Sequence, residues 1–205
     1  MSSPDKPTVV VATGNQGKLK EFRLALEQVG FAVAGLEALS ESIEVEETGT
    51  TFAANARLKA EAYSRLTDHV VVADDSGLEV DALGGEPGVK SARYGGPGLD
   101  DQGRLRLVVS KLEGVEDPDR TGRFRCALAV ARAGETVAEF DGVIEGRILR
   151  EPRGENGFGY DPVFFHEPSG CTTAELSPEA KQQVSHRGEV IRKFVEAVRN
   201  GSLKL

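Results

Sequence analysis

Two short apolar runs constrain this chain most: Val9-Val10-Val11-Ala12 and Val70-Val71-Val72-Ala73. β-Branched residues are stiff at χ1 and favour extended backbone. An unbroken apolar run of this length reads as a strand buried on both faces. The first run is followed by glycine-bearing polar residues and then by helical periodicity, so strand, loop and helix alternate. That order predicts an α/β fold. Four apolar residues fall far short of the roughly 20 that a membrane-spanning helix needs, so neither a span nor a membrane partner is expected.

The rest of the chain fits that class. Leu19, Phe22, Leu26 and Val29 recur at helical spacing, and Gly30 ends their helix. Residues 31–36 form a second strand. Residues 40–49 are an acidic loop. Thr50 or Thr51 caps an alanine-rich helix that reaches about Leu66. The strand at 70–73 is expected to stop at Asp74-Asp75-Ser76-Gly77. A glycine-rich loop covers 84–98, a helix 100–112, and an alternating strand 123–132. A turn at Ala133-Gly134-Glu135 leads into strand 136–140, with a further strand at 145–149. A second glycine-rich loop spans 154–161. Ser177-Pro178 opens a short helix. Residues 185–188 interrupt before a last helix faced by Ile191, Phe194, Val195 and Val198. No repeat or linker breaks 8–205, which reads as a single domain. Residues 1–7 lack the basic and apolar segments of a signal peptide and read as a loose tail.

Charge and cysteine usage narrow the function. With 25 Lys+Arg against 33 Asp+Glu the net charge is −8. That sign argues against a nonspecific nucleic-acid or anionic-membrane binder. Cys126 and Cys171 are the only cysteines, too few for a disulfide framework or a cysteine zinc site. A cytoplasmic protein with reduced thiols is expected. Glycine is the outlier, at 24 of 205 residues, about 12% against a usual 7% or so. Its clustering in pairs and triplets points to functional loops.

Five places carry chemistry. Thr13-Gly14-Asn15-Gln16-Gly17-Lys18 lies between a strand end and a helix start, where backbone N–H groups and a lysine can gather an anion. An ordinary βα turn would use the same residues, and neither the Walker A nor the dinucleotide spacing is present. Asp74-Asp75 offers two hard oxygen ligands suited to Mg²⁺, or an Asx turn at a strand end. Because strand side chains alternate, only one of the pair need face a site. Glu44, Glu46 and Glu47 form a solvated acidic run, or Glu46 or Glu47 completes a metal site with Asp75. Gly157-Phe158-Gly159-Tyr160-Asp161-Pro162 sets two aromatic rings among glycines, either as stacking faces for a base or folded into the core. Lys181 with Ser185-His186-Arg187 supplies donors for carbonyl or phosphate oxygens, or a capped helix junction. Together they read as a nucleotide site with Mg²⁺.

Six motifs then stand in one order: Thr13-Gly14-Asn15 with Lys18 and Glu21; Glu46-Glu47-Thr48-Gly49 with Thr51-Phe52; Asp74-Asp75-Ser76-Gly77-Leu78; Pro87-Gly88 with Ser91-Ala92-Arg93-Tyr94; Gly157 to Pro162; and Ser185-His186-Arg187-Gly188. The chain resembles the inosine/xanthosine triphosphate pyrophosphatase family over nearly its whole length. The resemblance implies an elongated mixed β-sheet flanked by helices, with two lobes, a central substrate cleft and a homodimeric assembly. It implies Mg²⁺-dependent hydrolysis of ITP, dITP and XTP to the monophosphate and pyrophosphate. By motif, Thr13, Gly14, Asn15, Gln16, Gly17 and Lys18 hold the polyphosphate. Glu46 and Asp75 ligate Mg²⁺, Asp75 is the proton acceptor, and Ser76 contacts substrate. Phe158, Gly159, Tyr160, Asp161, Lys181, His186 and Arg187 surround the nucleotide, mainly its base. Ala54 stands where the family commonly has Glu, which puts the metal weight on Glu46, Glu47 and Asp75. The rival readings are a related pyrophosphatase for modified pyrimidine triphosphates and a nucleotide sensor without turnover.

Overall fold

Both valine runs become neighbouring parallel strands in the computed structural model, which describes residues 6–41 and 43–204. Strand β1 (Thr8–Val11) pairs with β2 (Ala32–Ala34), Val9 opposite Val33, and with β3 (Val70–Val80), Val10 opposite Val71. Val9, Val10, Val11, Val71 and Val72 are fully buried, as an unbroken apolar run requires. Of the expected tail, residues 1–5 lie outside the described residues. The Pro7 carbonyl already accepts from the Ala32 N–H at 3.0 Å.

The remaining strands are β4 (Thr121–Arg132), β5 (Glu135–Ile148), β6 (Phe164–His166) and β7 (Cys171–Thr172). Among the described residues the sheet has seven strands in the order β2-β1-β3-β4-β5-β6-β7. It is mixed: β1 runs parallel to β2 and β3, whereas β6 runs antiparallel to β5 and β7. Five α-helices accompany it among the described residues: α1 (Gln16–Glu27), α2 (Phe52–Tyr63), α3 (Asp101–Lys111), α4 (Pro178–Val184) and α5 (His186–Arg199).

The chain divides into two compact units. The first takes 6–75, Ala127–Asp141 and 187–204; the second takes Ser76–Cys126 and Gly142–His186. In the first, Leu19, Phe22 and Leu26 of α1 and Ile191 and Phe194 of α5 are buried as their spacing predicts. Phe194 meets Phe31 at 6.0 Å between ring centroids and Phe140 at 6.4 Å. Asn15, Thr51, Asp100 and Ser177 cap α1 to α4 through their side-chain oxygens, the role for which short polar residues are suited. In the second unit the core gathers Leu78, Val80, Leu105, Val108, Leu112, Phe124, Ile148 and Phe164.

Several elements differ from expectation. Strand β3 does not stop at Asp74-Asp75; it runs on to Val80. The buried Asp74 is matched there by Lys18 and Arg187, which meets the condition for a charge inside a strand. Strands 136–140 and 145–149 are one strand, β5, continuous through Asp141-Gly142. The interruption expected at 185–188 is confined to Ser185: α4 ends at Val184 and α5 starts at His186, so His186 and Arg187 occupy its first turn. Strands β6 and β7, with three and two residues, were not foreseen. The turn at Ala133-Gly134 is a tight one with φ of +51° and +85°, the left-handed pair that two-residue hairpins use.

A buried arginine closes the second unit. Arg120 donates from Nε to the Ile148 carbonyl at 2.8 Å, and from its two terminal nitrogens to Leu112 at 2.8 Å and Leu149 at 3.2 Å. Each carbonyl left unpaired costs about 1–3 kcal/mol. Arg120→Met is expected to destabilise the protein by about 3 kcal/mol, a fall in Tm of roughly 6–12 °C by calorimetry.

Candidate active site

The loop after β1 is shaped by two side chains. Thr13 Oγ1 accepts from the Asn15 N–H at 3.2 Å, and Asn15 Oδ1 accepts from the Lys18 N–H at 3.0 Å. Asn15 thus caps α1, and the N–H groups of Gln16 and Gly17 precede the helix's own hydrogen bonding. Gly14, Asn15 and Gln16 are exposed. Gly14 has an ordinary φ, and a Cβ there would meet nothing within 4 Å. Neither backbone conformation nor packing against the protein calls for glycine at that point, so its bareness leaves room for a ligand.

Behind this loop lies a buried ionic cluster. Lys18 Nζ is 2.9 Å from Asp74 Oδ2, and Arg187 Nε donates to the same oxygen at 3.2 Å. Arg187 also pairs through a terminal nitrogen with Glu21 of α1. Burial would raise the Asp74 carboxyl, but the charges of Lys18, Arg187 and Lys59 outweigh it and hold the group far below the carboxylate range.

Asp75 faces a second set of partners. Asn55 of α2 donates from Nδ2 to Asp75 Oδ2 at 3.0 Å and accepts on Oδ1 from the Gly49 N–H at 2.7 Å. The buried asparagine therefore ties the end of the acidic loop to the carboxylate. Lys59, one helical turn on, reaches Glu47 Oε1 at 2.6 Å, the Asp74 carbonyl at 2.8 Å and Asp75 Oδ1 at 4.0 Å. Burial pushes the Asp75 carboxyl up, against the pull of Lys59 and Lys18. Glu46 is exposed, whereas Glu47 is the half-buried member of the run. Among the described residues no three His, Cys, Asp or Glu side chains gather as a metal site. The donors present are hard carboxylate oxygens, which fit an ion such as Mg²⁺ that takes one or two carboxylates and completes its shell with phosphate and water.

The second unit holds its own cluster around Asp161, which is buried. Its Oδ2 accepts from the Phe158 N–H at 2.8 Å and from Lys181 Nζ at 2.6 Å, and its Oδ1 accepts from Thr173 Oγ1 at 2.8 Å. The Lys181 ammonium also lies 4.8 Å from the centroid of the Phe158 ring. Gly157 has φ of +76°, and a Cβ there would fall 2.2 Å from Asp161 Oδ2, so only glycine lets the loop close on the carboxylate. Phe158 stays half-buried, while Tyr160 enters the core and donates to the Ser91 carbonyl at 2.8 Å. His186 is buried, its ring stacked on Phe124 at 4.9 Å.

The chain that carries this glycine loop, lysine and carboxylate cluster is similar to known proteins. A model of the Ham1 family matches residues 9–197. The chain belongs to the Ham1 family. A relative from Bacillus licheniformis is 50% identical over 186 residues, covering 91% of this chain and 95% of that protein, and is named dITP/XTP pyrophosphatase. One from Bacillus subtilis, of the same name, is 49% identical over 185 residues, covering 90% and 93%. The solved Ham1 protein of Coxiella burnetii superposes with a TM-score of 0.84 at 38% identity, covering 95% of this chain and 99% of that one. The Staphylococcus aureus Ham1 protein gives 0.82 at 39%, with the same coverage.

Within this Ham1 chain, Thr13 to Lys18 and Asp75 belong to the first unit, and Ser76, Phe158 to Asp161, Lys181 and His186 to the second. Arg187 departs from its expected company. Expected with His186 among the residues around the nucleotide, mainly its base, it gives its guanidinium to Asp74 and Glu21. Successive helix residues point about 100° apart, which sends the two neighbours to different surroundings. Sequence reasoning missed Asn55 and Lys59 as site residues. Their signal was the polar i, i+4 spacing on an otherwise alanine-rich helix. Gly49 gives a test of the Asn55 tie: a Cβ there would lie 2.6 Å from Asn55 Oδ1 and 2.8 Å from the Ala54 Cβ. Gly49→Ala is expected to cost about 1–3 kcal/mol, read as a Tm fall of roughly 2–12 °C, together with a lower kcat.

Proposed function

We propose that this chain hydrolyses noncanonical purine nucleoside triphosphates, namely ITP, dITP and XTP, to the monophosphate and pyrophosphate. This activity clears such nucleotides from the pool. The observation that carries the reading is Asp75, held by Asn55 in the same unit as a bare glycine loop ending in Lys18. The names of the relatives at half identity support it, and their reference to dITP and XTP does not favour a pyrimidine substrate.

The reaction is in-line attack of water on the α-phosphorus, with pyrophosphate leaving. Thr13, Gly14, Asn15, Gln16, Gly17 and Lys18 bind the polyphosphate, and the fixed N–H groups and ammonium meet the developing charge without reorganising. Asp75 orients the water and accepts its proton, with Asn55 holding one of its oxygens. Glu46 and Asp75 are the ligands assigned to Mg²⁺, which when bound offsets charge on the phosphate oxygens. Ser76 contacts substrate. Phe158, Gly159, Tyr160, Asp161, Lys181 and His186 serve the base. The buried Tyr160 contributes through its backbone and by supporting the loop. A homodimer in the cytoplasm, acting on free nucleotides rather than nucleic acid, completes the reading.

Incubation with Mg²⁺ and a panel of triphosphates tests it. Equal amounts of monophosphate and pyrophosphate are expected from ITP, dITP and XTP, and activity should vanish in EDTA. Stepwise release of orthophosphate through a diphosphate contradicts the reaction. Asp75→Asn should lower kcat by about 10²- to 10⁴-fold while the protein stays folded.

Base choice has a separate test. Hypoxanthine and xanthine carry a 6-keto acceptor and adenine a 6-amino donor. A donor aimed at that position favours the first two, by about 5- to 150-fold per contact at 1–3 kcal/mol. Lys181→Met is expected to lower kcat/KM for dITP more than for dATP and so narrow their ratio. Arg187→Ala should lower both alike. An unchanged ratio in Lys181→Met removes Lys181 from base reading.

A further inference from the structure

Asp74 is a buried carboxylate that the proposed reaction does not use, yet three segments of the first unit converge on it. Lys18 arrives from the first turn of α1, Arg187 from the first turn of α5, and Asp74 itself stands in β3. Both cations meet one oxygen, Oδ2, at 2.9 and 3.2 Å. The Asp74 side chain is 0% exposed and that of Arg187 2%, while Lys18 keeps 13%. Glu21, one turn beyond Lys18 on α1, pairs with the far side of the Arg187 guanidinium. Two anions and two cations thus alternate in the order Lys18, Asp74, Arg187, Glu21.

A lysine is a point charge on a stem of four rotatable carbons, so its ammonium goes where its counter-ion draws it. Here the counter-ion is rigid. Asp74 lies in a central strand, and Arg187 braces it with a guanidinium that Glu21 holds in turn. We propose that Asp74 is a positioning residue: its buried carboxylate aims the Lys18 ammonium for the triphosphate, and Arg187 with Glu21 keeps that carboxylate in place. The proposal rests on Lys18 as a phosphate contact, and it gives Arg187 a task on the phosphate side.

The sign of the effect separates aiming from mere stability. Neutralising Asp74 removes a negative charge beside Lys18, so affinity for a polyphosphate anion holds or rises, while a lysine released from its direction serves the reaction poorly. In Asp74→Asn, kcat for dITP should fall about 10- to 100-fold, the range seen for outer-shell partners. The Kd for inorganic tripolyphosphate, titrated by calorimetry in EDTA, should stay at or below the parent value. In a Lys18→Met background the same substitution should change kcat by no more than about twofold, the scatter of uncoupled sites.

An equal kcat loss from Asp74→Asn in the parent and in Lys18→Met overturns the proposal, as does a parental kcat in Asp74→Asn. Weakened tripolyphosphate binding together with lost kcat also overturns it, because that is the pattern of a disrupted fold. If Asp74→Asn does not fold, Asp74→Glu keeps the charge and moves it by one methylene. It should bind tripolyphosphate like the parent and lose kcat, whereas parental kcat overturns the proposal. If Lys18→Met itself matches the parent in Kd and kcat, Lys18 is not a phosphate contact, and the proposal falls together with that assignment. Impairment by Lys18→Met without coupling to Asp74 removes the proposal alone.

Discussion

A charge taken out of water must be matched where it lies, and the burial of Asp74 imposes that condition on the first unit. Unpaired, a buried carboxylate would bear a desolvation penalty of several kcal/mol. Lys18 and Arg187 meet it, and their charges keep the group ionised despite burial. Each comes from the first turn of a helix, so the starts of α1 and α5 are fixed relative to β3 within that unit. The loop from Thr13 to Gly17 is anchored by the same pairing, since Lys18 sits three residues into the helix that Asn15 caps.

The second unit applies the same rule with different parts. Asp161 is buried and matched by Lys181 at 2.6 Å, and its remaining capacity is filled by Thr173 and the Phe158 N–H. A carboxylate in such a place draws the backbone to itself, which is why Gly157 approaches too closely for any Cβ. The half-buried Phe158 ring then lies under a fixed cation rather than a mobile one. Asp75 balances differently. Burial holds its carboxyl up against the pull of Lys59 and Lys18; Lys59 stands 4.0 Å from it and is itself bonded to Glu47, and Asn55 donates to it and fixes its direction.

The parts of this arrangement that are local in sequence were legible, and those that depend on distant partners were not. The valine runs, the Asn15 and Thr51 caps and the apolar faces of α1 and α5 follow from spacing alone. The reach of β3 did not, because Asp74-Asp75 looks like a strand end until Lys18 and Arg187, 56 and 113 residues away, neutralise it. Strand β5 passes through Asp141-Gly142 for a related reason: pairing on the sheet outweighs a turn-like dipeptide. Strands β6 and β7 are too short to carry a period. The motifs named nearly every residue of the two clusters but grouped them by chain order. Asn55 and Lys59 were hidden in a helix whose alanines suggested packing only.

The use of one lysine and one arginine on Asp74 has a further physical sense. A phosphate that engages Lys18 competes with Asp74 for the same ammonium. Were lysine the sole partner, substrate binding would leave a buried carboxylate unmatched, and the cost would oppose binding. Arg187 removes that conflict. Its guanidinium stays charged at any working pH and is held on its other side by Glu21, so Oδ2 keeps a full partner while the Lys18 ammonium is shared with a phosphate. The lysine can therefore face a ligand from its place on Asp74 because the arginine carries the rest of the match, and the difference between the two side chains explains why each stands where it does.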